Sequence, residues 1–97
     1  MRWVAIFDDP PEMQQVRKAY EPAHLEYLSA NESEIVLAGG LRDAPAGSFV
    51  GGLWVLEVPS RERAIELVER DPYFVHGVRS YRLRVWGKAL PERHVVL

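Results

Sequence analysis

The chain alternates short apolar runs, rich in β-branched and aromatic residues, with two segments of helical periodicity. Such runs predict β-strands, and apolar residues repeated every three or four positions predict helices that bury one face. The resulting order, β-α-β-β-α-β, is that of the ferredoxin-like fold, in which both helices pack on one face of a four-stranded antiparallel sheet. We therefore predict an α+β fold in a single domain over residues 1–97. The predicted strands cover residues 2–9, 34–40, 53–58 and 80–90, and the predicted helices cover 12–30, with a break at Pro22, and 60–71.

Proline and glycine residues mark the boundaries of these elements. Pro22 lacks a backbone donor and disfavours helical geometry at Glu21, so we predict that one helical segment ends there and another begins with Pro22. His24 would then lie in a first helical turn, where the positive end of the helix dipole favours a neutral ring. Residues 41–52, rich in glycine with one proline, predict a connection longer than a tight hairpin, either disordered or a functional loop.

Composition excludes several classes of protein. A length of 97 residues allows one core with little surplus burial, and 47% apolar residues is ordinary for a globular domain. The net charge of −2, without a basic patch, argues against nucleic-acid binding. The absence of cysteine excludes disulfides and zinc–thiolate sites. The apolar run at residues 1–7 is too short for a signal peptide or a membrane span, so we expect a cytoplasmic protein without a membrane partner.

The second face of the predicted sheet lacks a covering layer. In the fourth strand, Arg82 and Arg84 alternate with apolar residues and would lie on this face, whereas both faces of the third strand are apolar. An apolar sheet face without helices is normally buried against a second sheet. We therefore predict a homodimer, or a higher oligomer, formed by sheet stacking. The sequence leaves open whether the last residues of the segment 91–97 pair with another chain.

Two residues are candidates for acid–base chemistry. His24 lies on the inward side of its helical segment, and Asp71 ends the second helix just before Pro72. A carboxylate that fixes the tautomer of a histidine ring makes it an effective general base. Two alternatives stay open, namely that His24 is a half-buried residue bonded to the backbone and that Asp71 caps a short turn starting at Pro72. Neither His76 nor His94 has the spacing of a metal-binding motif, so we predict no metal site.

Five sequence blocks together resemble the YCII-related (YciI-like) family of the dimeric α+β barrel superfamily. The blocks are PAHLEYL, VLAGGL, GGLWVLEV, AIELVERDPYFVHGV and a late VW. The resemblance implies a ferredoxin-like fold, a dimer built from two packed sheets, and a pocket that holds His24 and Asp71 as a catalytic pair. It also implies similarity to small cofactor-independent lyases that act on unsaturated, chlorinated ring-cleavage acids. Two positions depart from the family pattern: Glu21 stands where many relatives have arginine, and Gly52 where many have serine.

The enzyme hypothesis assigns a role to each candidate residue. His24 would remove a proton next to a carbonyl or a carboxylated alkene, Asp71 would orient the ring, and no cofactor would be needed. The predicted contacts to a small-molecule ligand come from Arg17, Gly40, Arg42, Trp54, Tyr73 and Phe74. A second hypothesis is a non-catalytic module that binds a small ligand through the same pocket. A third is haem binding through His24 or His76, because barrels of this architecture serve several functions.

Overall fold

A computed structural model describes residues 1–94 of the chain. Four strands and three helices follow one another along it, and the third helix is a single turn that directly follows the second. The elements are β1 Arg2–Asp8, α1 Met13–Ala30, β2 Ile35–Arg42, β3 Phe49–Glu57, α2 Arg61–Arg70, α3 Pro72–Val75 and β4 Ser80–Val85.

The four strands form one antiparallel sheet in the order β2-β3-β1-β4. The two central strands, β3 and β1, are therefore separated along the chain by α1 and β2, and each outer strand returns beside a central one. This is the arrangement of the ferredoxin-like fold, and the predicted α+β fold class is confirmed.

The core lies on the helical face of the sheet. Phe7, Trp54 and Leu56 alternate toward this face along β1 and β3, and all three are nearly or fully buried. They form one cluster with Leu67 and Val68 of α2. Because fully burying a side chain of this size stabilises a fold by about 1.5–3 kcal/mol, this cluster is the main reason that α2 stays on the sheet.

The hairpin between β2 and β3 differs from the prediction. The strands continue through both glycine pairs, Gly40 is paired with Gly52, and only residues 43–48 connect the strands. The glycines allow close approach here instead of ending strands. A Cβ atom at Gly40 would overlap the Phe49 ring, and one at Gly51 would overlap the Phe7 carbonyl oxygen.

The predicted break at Pro22 is wrong, because α1 runs without interruption from Met13 to Ala30. Pro22 cannot donate a hydrogen bond to the Lys18 carbonyl, which ordinarily destabilises a helix. The proline ring is exposed, however, so water can reach this side of the helix, and tertiary packing of the other side holds the turns together. His24 consequently lies in the middle of a helix, and the predicted influence of a helix N-terminus on its ring does not apply.

The second face of the sheet carries no helix. Leu37, Leu41 and Leu53 are 52%, 39% and 36% exposed on this face. The prediction for β4 holds in part, since Arg82 and Arg84 are exposed and Leu83 is buried. Val85, which the alternation placed in the core, is instead 58% exposed.

The strand β4 ends earlier than predicted, at Val85 instead of residue 90. Its pairing with β1 weakens at this point, although the Trp86 amide still donates to the Arg2 carbonyl oxygen at 3.0 Å. The question of strand pairing by the last residues falls on 95–97, outside the described residues. Within residues 1–94, no helix is both long and apolar enough to cross a membrane.

Candidate functional site

A cavity of about 280 Å³ lies between α1 and the sheet, near the start of α3. Its apolar walls come from α1 and from the paired region of β2 and β3, where glycines leave space that side chains would otherwise fill. Five lining residues have charged or titratable side chains: Arg17, Glu21, His24, Tyr73 and Arg79. A mainly concave site with a few convergent polar groups is the usual form of a small-molecule site.

His24 and Asp71 meet beside this cavity. The His24 Nδ1 atom lies 2.7 Å from Asp71 Oδ1, and the Asp71 side chain is fully buried. An ionised carboxylate can only accept hydrogen bonds, so Nδ1 carries a proton in this contact and, in the neutral form of the ring, Nε2 is the acceptor nitrogen. The side chain of His24 is 12% exposed and lines the cavity. The pair therefore has the geometry of an oriented general base.

Asp71 also caps α3. Its Oδ1 atom accepts a hydrogen bond from the Tyr73 amide at 3.3 Å, and Pro72 occupies the first helical position. The capping role that the sequence left open is thus present together with the contact to His24. The second carboxylate oxygen, Oδ2, is buried with no hydrogen-bond partner among the described residues and lies 3.9 Å from Arg79 Nη1.

Tyr73 fixes the plane of the histidine ring. The two rings are stacked with centroids 3.8 Å apart and planes 7° apart. The Tyr73 hydroxyl donates to the Arg17 carbonyl oxygen at 3.4 Å, which ties α3 to α1. Burial raises the pKa of Tyr73, so its hydroxyl stays protonated and able to donate at neutral pH.

Asp9 holds two arginines at the floor of the site. Arg79 donates to both carboxylate oxygens through Nε and Nη2 at 2.8 and 2.7 Å, and Arg17 Nη2 donates to Oδ2 at 2.8 Å. Burial alone would raise the pKa of Asp9, but the hydrogen bonds and charges of Arg79 and Arg17 outweigh it and hold the pKa below its usual range. The Arg17 guanidinium lies 4.5 Å from the centre of the Phe49 ring and 5.3 Å from that of Tyr73.

The residues predicted to contact a ligand divide into two groups. Those that line the cavity are Arg17, Gly40, Trp54 and Tyr73. Arg42 lies outside the cavity, because β2 extends to this residue. Its side chain is exposed there, and the residue is paired with Phe49 of β3. Phe74 also lies outside, since one step along a helix turns its side chain about 100° away from that of Tyr73. It packs edge-on against Tyr81 instead.

The sequence did not predict three residues of the site, namely Asp9, Arg79 and the wall residue Phe49. Asp8 of β1 is paired with Ser80 of β4, so residues 9 and 79 face each other just beyond the ends of two neighbouring strands. Two opposite charges at such positions are a signal for a cross-strand ion pair, but only once the register is known. His76, which drew attention in the sequence, stacks on Tyr20 at 4.0 Å and does not line the cavity.

A ferredoxin-like sheet with a histidine–aspartate pair beside a cavity places the chain in a class of small α+β proteins. The chain belongs to the family of YCII-related domains, whose model matches residues 1–87, and the resemblance inferred from the sequence is thereby confirmed. No curated protein matches the chain. In residues 1–94, no group of three or more histidine, aspartate or glutamate side chains is placed to hold a metal ion.

The fold is also similar to a solved enzyme structure. This is 5-chloro-2-hydroxyhydroquinone dehydrochlorinase from Burkholderia phenoliruptrix AC1100, in complex with 2,5-dihydroxybenzoquinone. The two chains are 26% identical with a TM-score of 0.79, and the match covers 90% of this chain and 94% of that chain.

Proposed function

We propose that the chain is a cofactor-independent lyase that eliminates a leaving group from a small, unsaturated, hydroxylated or carboxylated molecule, with His24 as general base. The observation that carries the proposal is the 2.7 Å contact between His24 Nδ1 and the fully buried Asp71. The contact leaves Nε2 as the nitrogen that accepts a proton, and the His24 ring borders the cavity.

The elimination requires one proton acceptor and a conjugated path to the leaving group. Nε2 of His24 takes the proton from a substrate hydroxyl, or from carbon next to a carbonyl. The electron pair left behind shifts through the adjacent double bond toward a tetrahedral carbon that carries chlorine, and chloride leaves with the electrons of its carbon bond, so the net change is loss of HCl. In a chlorinated hydroquinone this carbon is aromatic, so a hydroxyl proton first moves to it and gives the keto tautomer. Asp71 stabilises the imidazolium that forms, in the manner of a carboxylate that supports a histidine base. Similarity to a dehydrochlorinase supports this reaction class.

Chloride release from 5-chloro-2-hydroxyhydroquinone tests the reaction directly. Wild-type protein should release chloride faster than the protein-free control, as measured by ion chromatography. Complete conversion should give one chloride ion per substrate molecule. His24→Ala and Asp71→Asn should each lower kcat by about 10²–10⁴-fold, which is the usual contribution of a positioned base. His76→Ala is the matched control, because that ring is exposed, contacts Tyr20 and lies outside the cavity. Unchanged chloride release by the His24 variant would refute the proposed base.

One observation favours a second candidate function, a non-catalytic binding module. Asp9 offsets much of the charge of Arg17 and Arg79, and Glu21 adds a further negative charge to the cavity wall. Such a site would hold a ligand without strongly stabilising negative charge that develops during a reaction. Binding of 2,5-dihydroxybenzoquinone by wild type and by His24→Ala with similar affinity, with no chloride released from the chlorinated compound, would favour this candidate.

We also propose that the chain forms a homodimer through the open sheet face. The three partly exposed leucines Leu37, Leu41 and Leu53 support this assembly, because contiguous apolar surface of this kind is usually buried by a partner. Light scattering at micromolar concentration should give about twice the chain mass of 11.1 kDa. Leu53→Glu should shift the protein toward monomer, whereas Val75→Glu, at an exposed residue of α3, should not. A wild-type monomer would rule out the dimer.

A further inference from the structure

The Arg79 guanidinium makes more fixed contacts than a surface ion pair would provide. Its side chain is 2% exposed, and two of its three guanidinium nitrogens are fixed by the bidentate contact with Asp9. The guanidinium also lies 4.4 Å from the centre of the Phe7 ring and 5.6 Å from that of Tyr73. Aromatic faces and a carboxylate thus fix both the plane and the rotation of this group.

The third nitrogen of Arg79, Nη1, has unused hydrogen-bonding capacity. No hydrogen bond from Nη1 to any of residues 1–94 is present, and the Asp71 Oδ2 atom lies 3.9 Å away. That distance is an electrostatic contact and is too long for a hydrogen bond. Unlike Arg17 Nε and Asp71 Oδ2, Nη1 is not fully buried, and Arg79 lines the cavity. A rigidly held charged donor at a cavity wall, with no partner in residues 1–94, points to a partner that comes from outside the chain.

Arg79 and His24 converge on the same carboxylate. His24 Nδ1 lies 2.7 Å from one oxygen of Asp71, and Arg79 Nη1 lies 3.9 Å from the other. Both side chains line the cavity. A ligand oxygen in the cavity can therefore lie near a fixed cationic donor and near the proposed general base at the same time.

We propose that Arg79 binds the ligand, with Nη1 donating a hydrogen bond to the oxygen atom of the substrate that becomes negatively charged when His24 removes its proton. This inference rests on the proposed function for the identity of the reacting oxygen. Asp9 has a positioning role, because it holds Nε and Nη2 and so presents Nη1 to the cavity. Arg17 is less suited to this role, since its Nη2 atom is shared between Asp9 and the Gly51 carbonyl oxygen.

A pair of ligands of similar shape separates binding by Arg79 from a merely structural role. The probes are 2,5-dihydroxybenzoquinone and 2,5-dimethylbenzoquinone, in which methyl groups replace the hydroxyls. Arg79→Gln should weaken binding of the dihydroxy compound about 10- to 100-fold, as expected for loss of a hydrogen bond to a charged group, and should change binding of the dimethyl compound less than about threefold. Arg79→Lys should restore part of the lost affinity. Titration calorimetry measures all of these affinities.

Arg61→Gln is the matched control, because it makes the same change at an exposed residue at the start of α2, outside the cavity. Equal weakening of both probes by Arg79→Gln would indicate a structural role and overturn the inference. So would a failure of wild-type protein to prefer the dihydroxy compound. This binding test does not depend on turnover. Loss of the preference in Arg79→Gln would support ligand binding by Arg79 even if no chloride is released by the wild-type protein. Absence of chloride release would refute only the proposed reaction.

A structure of the wild-type complex tests the same inference without a variant that could fail to fold. Crystals of the complete chain with 2,5-dihydroxybenzoquinone should show a ligand oxygen within about 3.2 Å of Arg79 Nη1. A ligand bound in the cavity with its oxygens on Arg17 alone, or with none near Nη1, would overturn the assignment.

Discussion

Replacement of Asp9 by asparagine should be among the most destabilising single changes in the chain. The Asp9 carboxylate is fully buried and accepts hydrogen bonds from both Arg17 and Arg79, whose side chains are 13% and 2% exposed. Asparagine keeps the shape but removes the negative charge, and its amide group would point a donor at a guanidinium. Arg17 would then lose its carboxylate partner, and Arg79 would keep only the 3.9 Å electrostatic contact with Asp71.

The expected loss is about 3–5 kcal/mol, as measured when one partner of a buried ion pair is removed. A chain of this length has a total stability of about 5–15 kcal/mol, so the expected loss is between about a fifth and all of the wild-type stability. Urea unfolding followed by circular dichroism, at one fixed protein concentration, measures the difference. Asp8→Asn is the control, because Asp8 is an exposed neighbour in β1 and its change should stay within about 0.5 kcal/mol.

The pH dependence gives a second test of the same reasoning. The two arginines lower the pKa of Asp9 in the folded chain below the usual value of 3.8. The unfolded chain therefore takes up a proton near pH 4, where the folded chain does not, and the stability contributed by Asp9 is lost as pH falls through its lowered folded pKa. The stability difference between wild type and Asp9→Asn should shrink below about pH 4. A difference under about 1 kcal/mol at pH 7, or one that stays constant down to pH 3, would refute the account.

Three smaller predictions address other parts of the fold. Burial and a hydrogen bond to a glutamate raise the pKa of Tyr81 to about 12, so the difference in absorbance at 295 nm between wild type and Tyr81→Phe should titrate near pH 12 instead of 10. Gly51→Ala would place a Cβ atom against a backbone carbonyl oxygen and should cost about 1–3 kcal/mol in urea unfolding, whereas Gly87→Ala, with open space around it, should cost little. Ser60→Ala removes the N-cap of α2, whose hydroxyl accepts from the Arg63 amide at 3.2 Å, and should lower the unfolding free energy by about 0.5–2 kcal/mol.

Much of the fold could be predicted because each signal was local. Alternation along β4 placed Arg82 and Arg84 on the open face and the apolar Leu83 between them in the core, and helical periodicity located α2. The error at Pro22 arose because a local backbone rule ignores solvent exposure. Lys18 and Pro22 are both exposed residues of α1, and packing on the other side of the helix outweighs the cost of the proline.

The site was only partly predictable because its charges come from distant parts of the chain. His24 and Asp71 were identified as candidates, but no periodicity could supply the distance between them, which depends on how α3 packs on α1. Arg79 and Asp9 lie 70 positions apart and meet only through the pairing of β1 with β4. To predict cross-strand contacts of this kind, the strand register must be known. The apolar pattern is compatible with more than one register.

The continuous course of α1 changes the explanation of how the His24 ring is held. The ring lies in the middle of α1, far from the ends of that helix, and its orientation comes from the first residues of α3 instead. Asp71 Oδ1 accepts from both His24 Nδ1 and the Tyr73 amide, and the Tyr73 ring stacks on the imidazole. A helix of four residues has almost no stability of its own, so α3 keeps this geometry only through its cap, through Pro72 at its first position and through contact with α1. The same carboxylate oxygen of Asp71 therefore caps α3 and orients the His24 ring, so loss of either hydrogen bond should disturb the other.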